Sequence, residues 1–424
     1  MELIKNNKTR IINFLLVGVL ATIPLPFFIN SLFVIGFVIV CILFYINNIA
    51  LSKIIVIYLL IILFISMVIP QAFINNNVNF FSGIQKTLPF LTIPLLFLNK
   101  SLFNNLKSEK ILRYYSISNA FLALFFIFKA LYKFILSGNK ETFFFHNLVG
   151  LDQNAIFVSI YASFSFFYFF KIKKKTLFDR FNLMVLLFFI FLLSSKTIIF
   201  IDLFLLILYY FFFSSTDSSV KSLTFICGAI FVFFSIYFVP QVNKRAIEEY
   251  QTAFVDNTVN QFYSNKVEKA YNVSIHEAWN NEKFERNQFF PGMAYRVFHI
   301  RLFKESIIQK NKIFFGYGLN NTDGVLRQQY KQYQLFLSQT YQNYHNQYIQ
   351  TFAETGVISF LLIILIVFMN LFNAIKNKNF LHLVFAITML IFFFTESFLI
   401  RQRGIIFFVT LYCLFNTISV KKIE

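Results

Sequence analysis

The sequence predicts an all-α membrane protein of about twelve transmembrane helices with one large, mainly helical outer loop. Three observations carry this. Of the 424 residues, 58% are hydrophobic and only 13% charged, about half the charged share of a soluble domain. Apolar runs long enough for a bilayer recur along the chain. Basic residues cluster in alternate short connections, as the positive-inside rule requires.

The runs lie near 11–29, 32–46, 54–74, 87–98, 115–136, 154–170, 181–194, 197–213, 221–240, 357–374, 380–398 and 403–418. Lys5, Lys8 and Arg10 precede the first, which ends in Ile23-Pro24-Leu25-Pro26 without a small-residue cleavage pattern and therefore reads as an uncleaved span. The fourth and seventh runs are short, so they read as tilted, re-entrant or extended by flanking residues. With the N-terminus inside, Lys53, the Lys100–Arg113 and Lys171–Arg180 segments, Lys221, Lys376, Lys378, Lys421 and Lys422 fall on the inner side. The net charge of +19 is then mainly a topology signal and not evidence for nucleic acid. Cys41, Cys227 and Cys413 lie in apolar runs, with no disulfide framework or metal spacing.

This pattern divides the chain into a bundle of about nine spans over 1–240, an outer loop domain over 241–346, and about three spans over 347–424. The outer segment from Gln241 to Tyr344 carries 13 basic and 9 acidic residues, and long loops translocate regardless of charge. Within it, Met293 to Lys310 reads as an amphipathic helix with Val297, Ile300, Phe303 or the Lys304 stem, and Ile307 on one stripe. A break follows at Phe315-Gly316-Tyr317-Gly318. A less regular stretch from Arg327 to Tyr344 leads back to the membrane.

Four cations defy the topology. Lys86, Lys196, Arg401 and Arg403 sit on the outer side, where each opposes the orientation set by the other loops. They suit an anionic ligand such as a lipid-linked diphosphate, or lipid headgroups. His345 is the leading candidate for a general base, beside the polar residues Asn346, Gln350 and Glu354. On a helix begun at His345, Glu354 would point away from the imidazole; it could orient His345 only if the helix begins later. Arg296 has the fork geometry to clamp a diphosphate, whereas Arg301 reads as a solvated helix residue. Asp152 and Asn154 open the sixth span, six and eight residues after His146, as sugar ligands or helix caps. Lys129 and Asp202 lie within spans, where a snorkelling lysine and a residue near a helix start account for them. No P-loop, zinc motif or nucleophile elbow is present. No Asp-x-Asp pair occurs, and neither a metal nor another cofactor is expected.

Arg296, Gly316-Tyr317-Gly318, His345-Asn346 and Gln350-Thr351-Phe352-Ala353-Glu354-Thr355-Gly356, in this order, resemble the O-antigen ligase and polymerase superfamily. Ser194-Ser195-Lys196 is similar to that family's Ser-Ser-Arg, with Lys in place of Arg, which keeps the charge and loses the bidentate fork. The resemblance implies transfer of a glycan from an undecaprenyl-diphosphate carrier to an acceptor hydroxyl at the periplasmic face of a bacterial inner membrane. The large loop would then be periplasmic. The implied mechanism is inverting and metal-independent: His345 deprotonates the acceptor, while Arg296 and Lys196 hold the diphosphate.

The acceptor expected of a ligase is lipid A-core; a polymerase would use a second lipid-linked glycan, and a protein O-oligosaccharyltransferase a protein hydroxyl. A polysaccharide or lipid transporter is the more distant reading, disfavoured because ionisable residues cluster at one face and not at mid-membrane. A non-catalytic anchor for the outer domain leaves the misplaced cations and His345 unexplained.

Overall fold

The fold follows from a lack of water around the backbone: in lipid each N–H and C=O must be satisfied within its own segment, so apolar runs become helices. In a computed structural model the described residues are 7–45, 54–73, 79–103, 106–150, 153–214, 250–260, 269–309, 312–335 and 343–417. The expected run at 221–240 lies outside them. The frame begins with α1 (Lys8–Ala21), α2 (Phe27–Tyr45), α3 (Ile55–Val68), α4 (Phe80–Thr87), α5 (Pro89–Phe97) and α6 (Ser108–Ser137). It continues with α7 (Ala155–Phe170), α8 (Leu177–Leu193) and α9 (Lys196–Phe212). After the polar insertion, α10 is Gly292–Gln309, α11 Thr322–Gln332, α12 Gln347–Lys376, α13 Phe380–Thr395 and α14 Gln402–Thr417.

Among the described residues, four helices are long and apolar enough to cross a membrane: Phe27–Phe44, Phe80–Phe97, Ser108–Ser137 and Gln347–Lys376. Ile55–Gln71, Ala155–Phe170 and Phe380–Thr395 are apolar but shorter. Twelve spans therefore remains an expectation, and a mainly helical membrane protein is what the structure establishes. The short fourth run is lengthened by its flank, since α4 continues into α5 and carries Lys86 inside the helix, not in a loop.

Helices α7 and α14 are buried almost all round and form the centre with α13. Aromatic rings stitch them together: Phe157 meets Phe398 at 4.8 Å, Tyr161 meets Phe407 at 4.9 Å and Phe385 meets Phe407 at 6.1 Å between ring centroids. Each such pair contributes about 0.5–1.5 kcal/mol beyond area burial, which matters in lipid, where apolar burial alone does not draw helices together. At the end with the basic short loops, ion pairs tie Arg113 to Asp179 (3.1 Å) and Lys171 to Glu109 (2.9 Å).

The insertion has its own core of Val273, Ala278, Phe284, Ala294, Phe298, Leu302, Leu326, Tyr330 and Tyr344. A small sheet pairs Thr258–Val259 antiparallel and Gln288–Phe289 parallel with Tyr271–Asn272. Two expectations change here. The buried residues of α10 include Ala294, Phe298, His299, Leu302 and Ser306; of the expected stripe Ile307 is buried as well, while Ile300 is 40% exposed. Apolar residues lie nearly all round this helix, so two phases fit the period, and the partner surface chose between them. The stretch expected to be irregular after Arg327 is instead helical through α11 as far as Gln332, because Leu326 and Tyr330 bury into the α10 core; residues 336–342 lie outside the described set.

The insertion is also mounted on α12 by backbone. Tyr317 N–H donates to Ala353 O (2.7 Å), Gly318 N–H to Glu354 O (2.9 Å) and Val357 N–H to Ile313 O (2.9 Å). Two glycines permit this approach. A Cβ on Gly316 would meet the Glu354 carbonyl carbon at 2.6 Å, and one on Gly356 would run into the Phe314 carbonyl. Gly356 breaks α12 with φ 82° and ψ −176°, a region that essentially only glycine occupies. The Gly316-Tyr317-Gly318 signal is thus accounted for by docking of the chain onto α12. Replacing Gly356 by Ala should cost about 3 kcal/mol or more and lower the thermal midpoint of the detergent-solubilised protein. Gly324→Ala, in open space on α11, should leave it unchanged or raise it. Equal midpoints for the two variants would contradict this account of the kink.

Candidate active site

Three elements meet where the insertion returns to the frame. Asn346 caps α12 by accepting from Ile349 N–H, so the helix begins after His345, which is left at the junction with φ 47°. The capping segment docks on the turn between α13 and α14. Asn346 N–H donates to Ser397 Oγ (3.2 Å), Asn346 Nδ2 to Phe394 O (3.2 Å), and Leu399 N–H to Gln347 Oε1 (2.6 Å). That turn carries Glu396, whose side chain is 11% exposed.

Glu396 joins the two leading candidates. Its Oε2 lies 3.2 Å from His345 Nδ1, and its Oε1 accepts from Arg296 Nη2 at 3.2 Å. A carboxylate only accepts, so Nδ1 carries the proton and Nε2 is left as the basic nitrogen. A carboxylate that orients an imidazole in this way is an arrangement that can serve general-base chemistry. The orienting carboxylate is therefore Glu396 and not Glu354. Arg296 is further held by donating through Nε to Thr395 O (3.1 Å) and through Nη1 to Gly292 O (3.2 Å). The guanidinium braces Glu396 before it offers anything to a ligand.

Rings from α10 wall the imidazole: Tyr295 and His299 lie 5.3 and 5.7 Å from His345 between centroids. His299 is fully buried. Its Nδ1 donates to Tyr295 O (2.7 Å), so Nε2 accepts the Tyr330 hydroxyl at 2.5 Å. Burial, with the neighbouring His345 and Arg296 charges adding to it, pushes His299 down to about 3. Burial also raises the Tyr295 and Tyr330 phenols above their ordinary range. This wall is neutral and rigid.

A second feature lies further along the same turn. A cavity of about 620 Å³ is lined by Lys86, Arg401 and Arg403, with Ser82, Gln85 and Asn320. Three of the four misplaced cations are thus brought together. Lys86 Nζ donates to Asn320 Oδ1 (2.8 Å) and interacts with the buried Glu354 carboxylate. Arg401 lies over the Phe157 ring, 5.7 Å from its centroid. Lys196 does not line this cavity; it is exposed at the first residue of α9, after Ser194 closes α8 with φ 51°. Lys196 and Arg403 both stand in first helical turns, where cations oppose the helix dipole and lower stability.

The supporting residues separate. Gln350 donates to Thr322 Oγ1 (2.8 Å) and Glu354 Oε1 (2.9 Å) and accepts from Tyr344 N–H, so Gln350 and Glu354 tie α11 and the Tyr344 backbone to α12. Asn154 caps α7 by accepting from Ile156 N–H; Asp152 lies outside the described residues. Arg301 is not solvated. It binds Glu305, the Ala278 and Asn281 carbonyls and the Tyr333 ring inside the insertion, because its guanidinium faces acceptors and a ring of the insertion where a free helix face was expected. Within the spans, Asp202 accepts from Ser163 Oγ and Lys129 Nζ lies 6.0 Å from the Phe126 ring centroid.

Glu396 is the residue that sequence reasoning missed. It sits in what reads as one apolar run, 380–398, and its only local signal is a lone carboxylate before Arg401 and Arg403.

Apolar helices that carry a His–carboxylate–Arg unit and a cationic cavity where a polar insertion joins them define a mainly helical membrane protein with an ionisable site at that junction. Residues 181–364 match the family model described as O-antigen ligase, which bears out the resemblance to that superfamily and supports activity of the ligase or polymerase type. No curated protein matches the chain. The matched segment contains Lys196, Arg296, His345, Gln350 and Glu354, whereas Lys86 precedes it and Glu396, Arg401 and Arg403 follow it.

A neutral buried His299 makes stability depend on pH. The unfolded chain takes up a proton near the ordinary histidine value of 6.5 and the folded one only near 3, so stability falls as pH drops through that window. His299→Gln should flatten the decline in thermal midpoint between pH 7 and pH 5. An unchanged slope would show that His299 is not the group responsible.

Proposed function

We propose that the protein is a membrane glycosyltransferase of the O-antigen ligase type, moving a glycan from an undecaprenyl-diphosphate carrier to an acceptor hydroxyl at the periplasmic face. The observation that carries the proposal is the Glu396 carboxylate shared by His345 Nδ1 and Arg296 Nη2, on the same turn as a cavity with three cations. The family match over residues 181–364 supports it.

In this reading His345 Nε2 takes the proton of the acceptor hydroxyl, and Glu396 holds the imidazolium that forms. The acceptor oxygen bonds to the anomeric carbon as the bond from that carbon to the diphosphate oxygen breaks, with inversion. Arg401, Arg403 and Lys86 meet the charge that develops on the departing diphosphate. Arg296 orients Glu396 and presents its outer edge to the substrate. Lys196, separate from the cavity, would contact the donor at a second point. The activated donor supplies the driving force, so neither nucleotide nor metal enters the scheme. Lipid A-core is the proposed acceptor. A second lipid-linked glycan makes the protein a polymerase, and a protein hydroxyl an O-oligosaccharyltransferase.

The test is transfer from an undecaprenyl-diphosphate glycan to lipid A-core by the purified full chain in detergent. His345→Ala should lower kcat by about 10²–10⁴, and Glu396→Gln should lower it less while moving its pH profile. Near wild-type turnover by His345→Ala, with the protein folded, would remove the base assignment. Lengthening of the donor glycan without transfer to lipid A-core would identify the polymerase. Arg401→Gln and Arg403→Gln should raise KM for the lipid-linked donor; an unchanged KM would detach the cavity from the donor.

A further inference from the structure

We infer that a groove between α1 and α6, at the opposite end of the frame from the candidate site, binds one anionic phospholipid. The groove encloses about 550 Å³. From α1 it is lined by Arg10, Asn13 and Phe14, and from α6 by Lys110, Ile117 and Phe121. With Val17 on α1 and Tyr114 on α6, the lining follows the three- and four-residue spacing of one helix face, so each helix contributes one continuous stripe. Arg10 and Lys110 stand in the first turns of their helices, and the apolar residues follow in the same direction along both. The cations and two helix N-termini therefore converge at one end, and an apolar trough leads away from them.

Three observations select the ligand. The lining contains two cations and no carboxylate; the nearby Glu109 is engaged by Lys171 at 2.9 Å and leaves Lys110 unneutralised. Asn13 Oδ1 is buried without a hydrogen-bond partner among the described residues, a costly arrangement that a hydroxyl on the ligand would relieve. Phe14 and Phe121 are 67% and 59% exposed, so the trough opens sideways, toward acyl chains. A phosphate at Arg10 and Lys110, a headgroup hydroxyl at Asn13 and an acyl chain along Phe14, Ile117 and Phe121 use every element. Phosphatidylglycerol has this chemistry, and basic pockets between helices on the side of the positive loops hold such headgroups.

The groove is remote from the candidate site. Lys8 Nζ donates to Ser101 O (3.2 Å) beyond the end of α5, whereas Lys86 lies on α4 before α5 begins; the α4–α5 run separates the two ends. The inference does not rest on the proposed activity.

The test is native mass spectrometry of the full chain titrated with phosphatidylglycerol, phosphatidylcholine or phosphatidic acid. Wild type should retain phosphatidylglycerol over phosphatidylcholine, and the double variant R10Q/K110Q should bind it about tenfold more weakly or worse. Asn13→Ala should remove the preference for phosphatidylglycerol over phosphatidic acid. Equal retention of phosphatidylglycerol and phosphatidylcholine by wild type would overturn the inference, and that comparison decides the matter if the double variant does not fold. Displacement of the lipid by millimolar inorganic phosphate would overturn it too, by making a free anion the ligand.

Discussion

The candidate site depends on one shared carboxylate. Glu396 comes from the turn between two buried helices, Arg296 from the insertion and His345 from the start of α12. A mostly buried charge is costly to desolvate, and the Arg296 guanidinium and the His345 Nδ1–H together offset that cost. The three elements are therefore held together by the same interaction that sets the tautomer of His345. The neutral, fully buried His299 beside it adds no competing positive charge.

The glycine-mediated contact acts in the same direction from the other side. Gly316 and Gly356 allow the segment from Ile313 to Gly318 to lie against the backbone of α12, and Leu319 N–H continues the attachment by donating to Gln71 Oε1 (3.1 Å). Asn320 then meets Lys86. Two separate ties thus align the insertion with the frame, one ending at the imidazole and the other at the cationic cavity. Glu396, which meets the imidazole, and Arg401, which lines the cavity, stand at opposite ends of one short turn.

The two ends of the frame use positive charge differently. In the basic short loops, Arg113 and Lys171 are paired with acids, as residues that set orientation and hold loops would be. Around the cavity, Arg401 and Arg403 gather at the start of α14, where the helix dipole opposes positive charge, and Lys86 interacts with the buried Glu354.

Composition and periodicity were enough to read a mainly helical membrane protein, the polar insertion and the break at Gly316-Tyr317-Gly318, and the order of its motif residues carried the superfamily resemblance. All of these are local or statistical properties, fixed by the chemistry of neighbouring residues and by the absence of water in lipid. Only the tertiary structure decided the phase of α10, the burial of Arg301, the separation of Lys196 from Lys86, Arg401 and Arg403, and the choice of Glu396 over Glu354 as the partner of His345. Glu396 lies 51 residues from His345 and 100 from Arg296, so no period or spacing connects them. Their meeting depends on how whole helices pack, and that depends on side-chain shapes across the entire bundle.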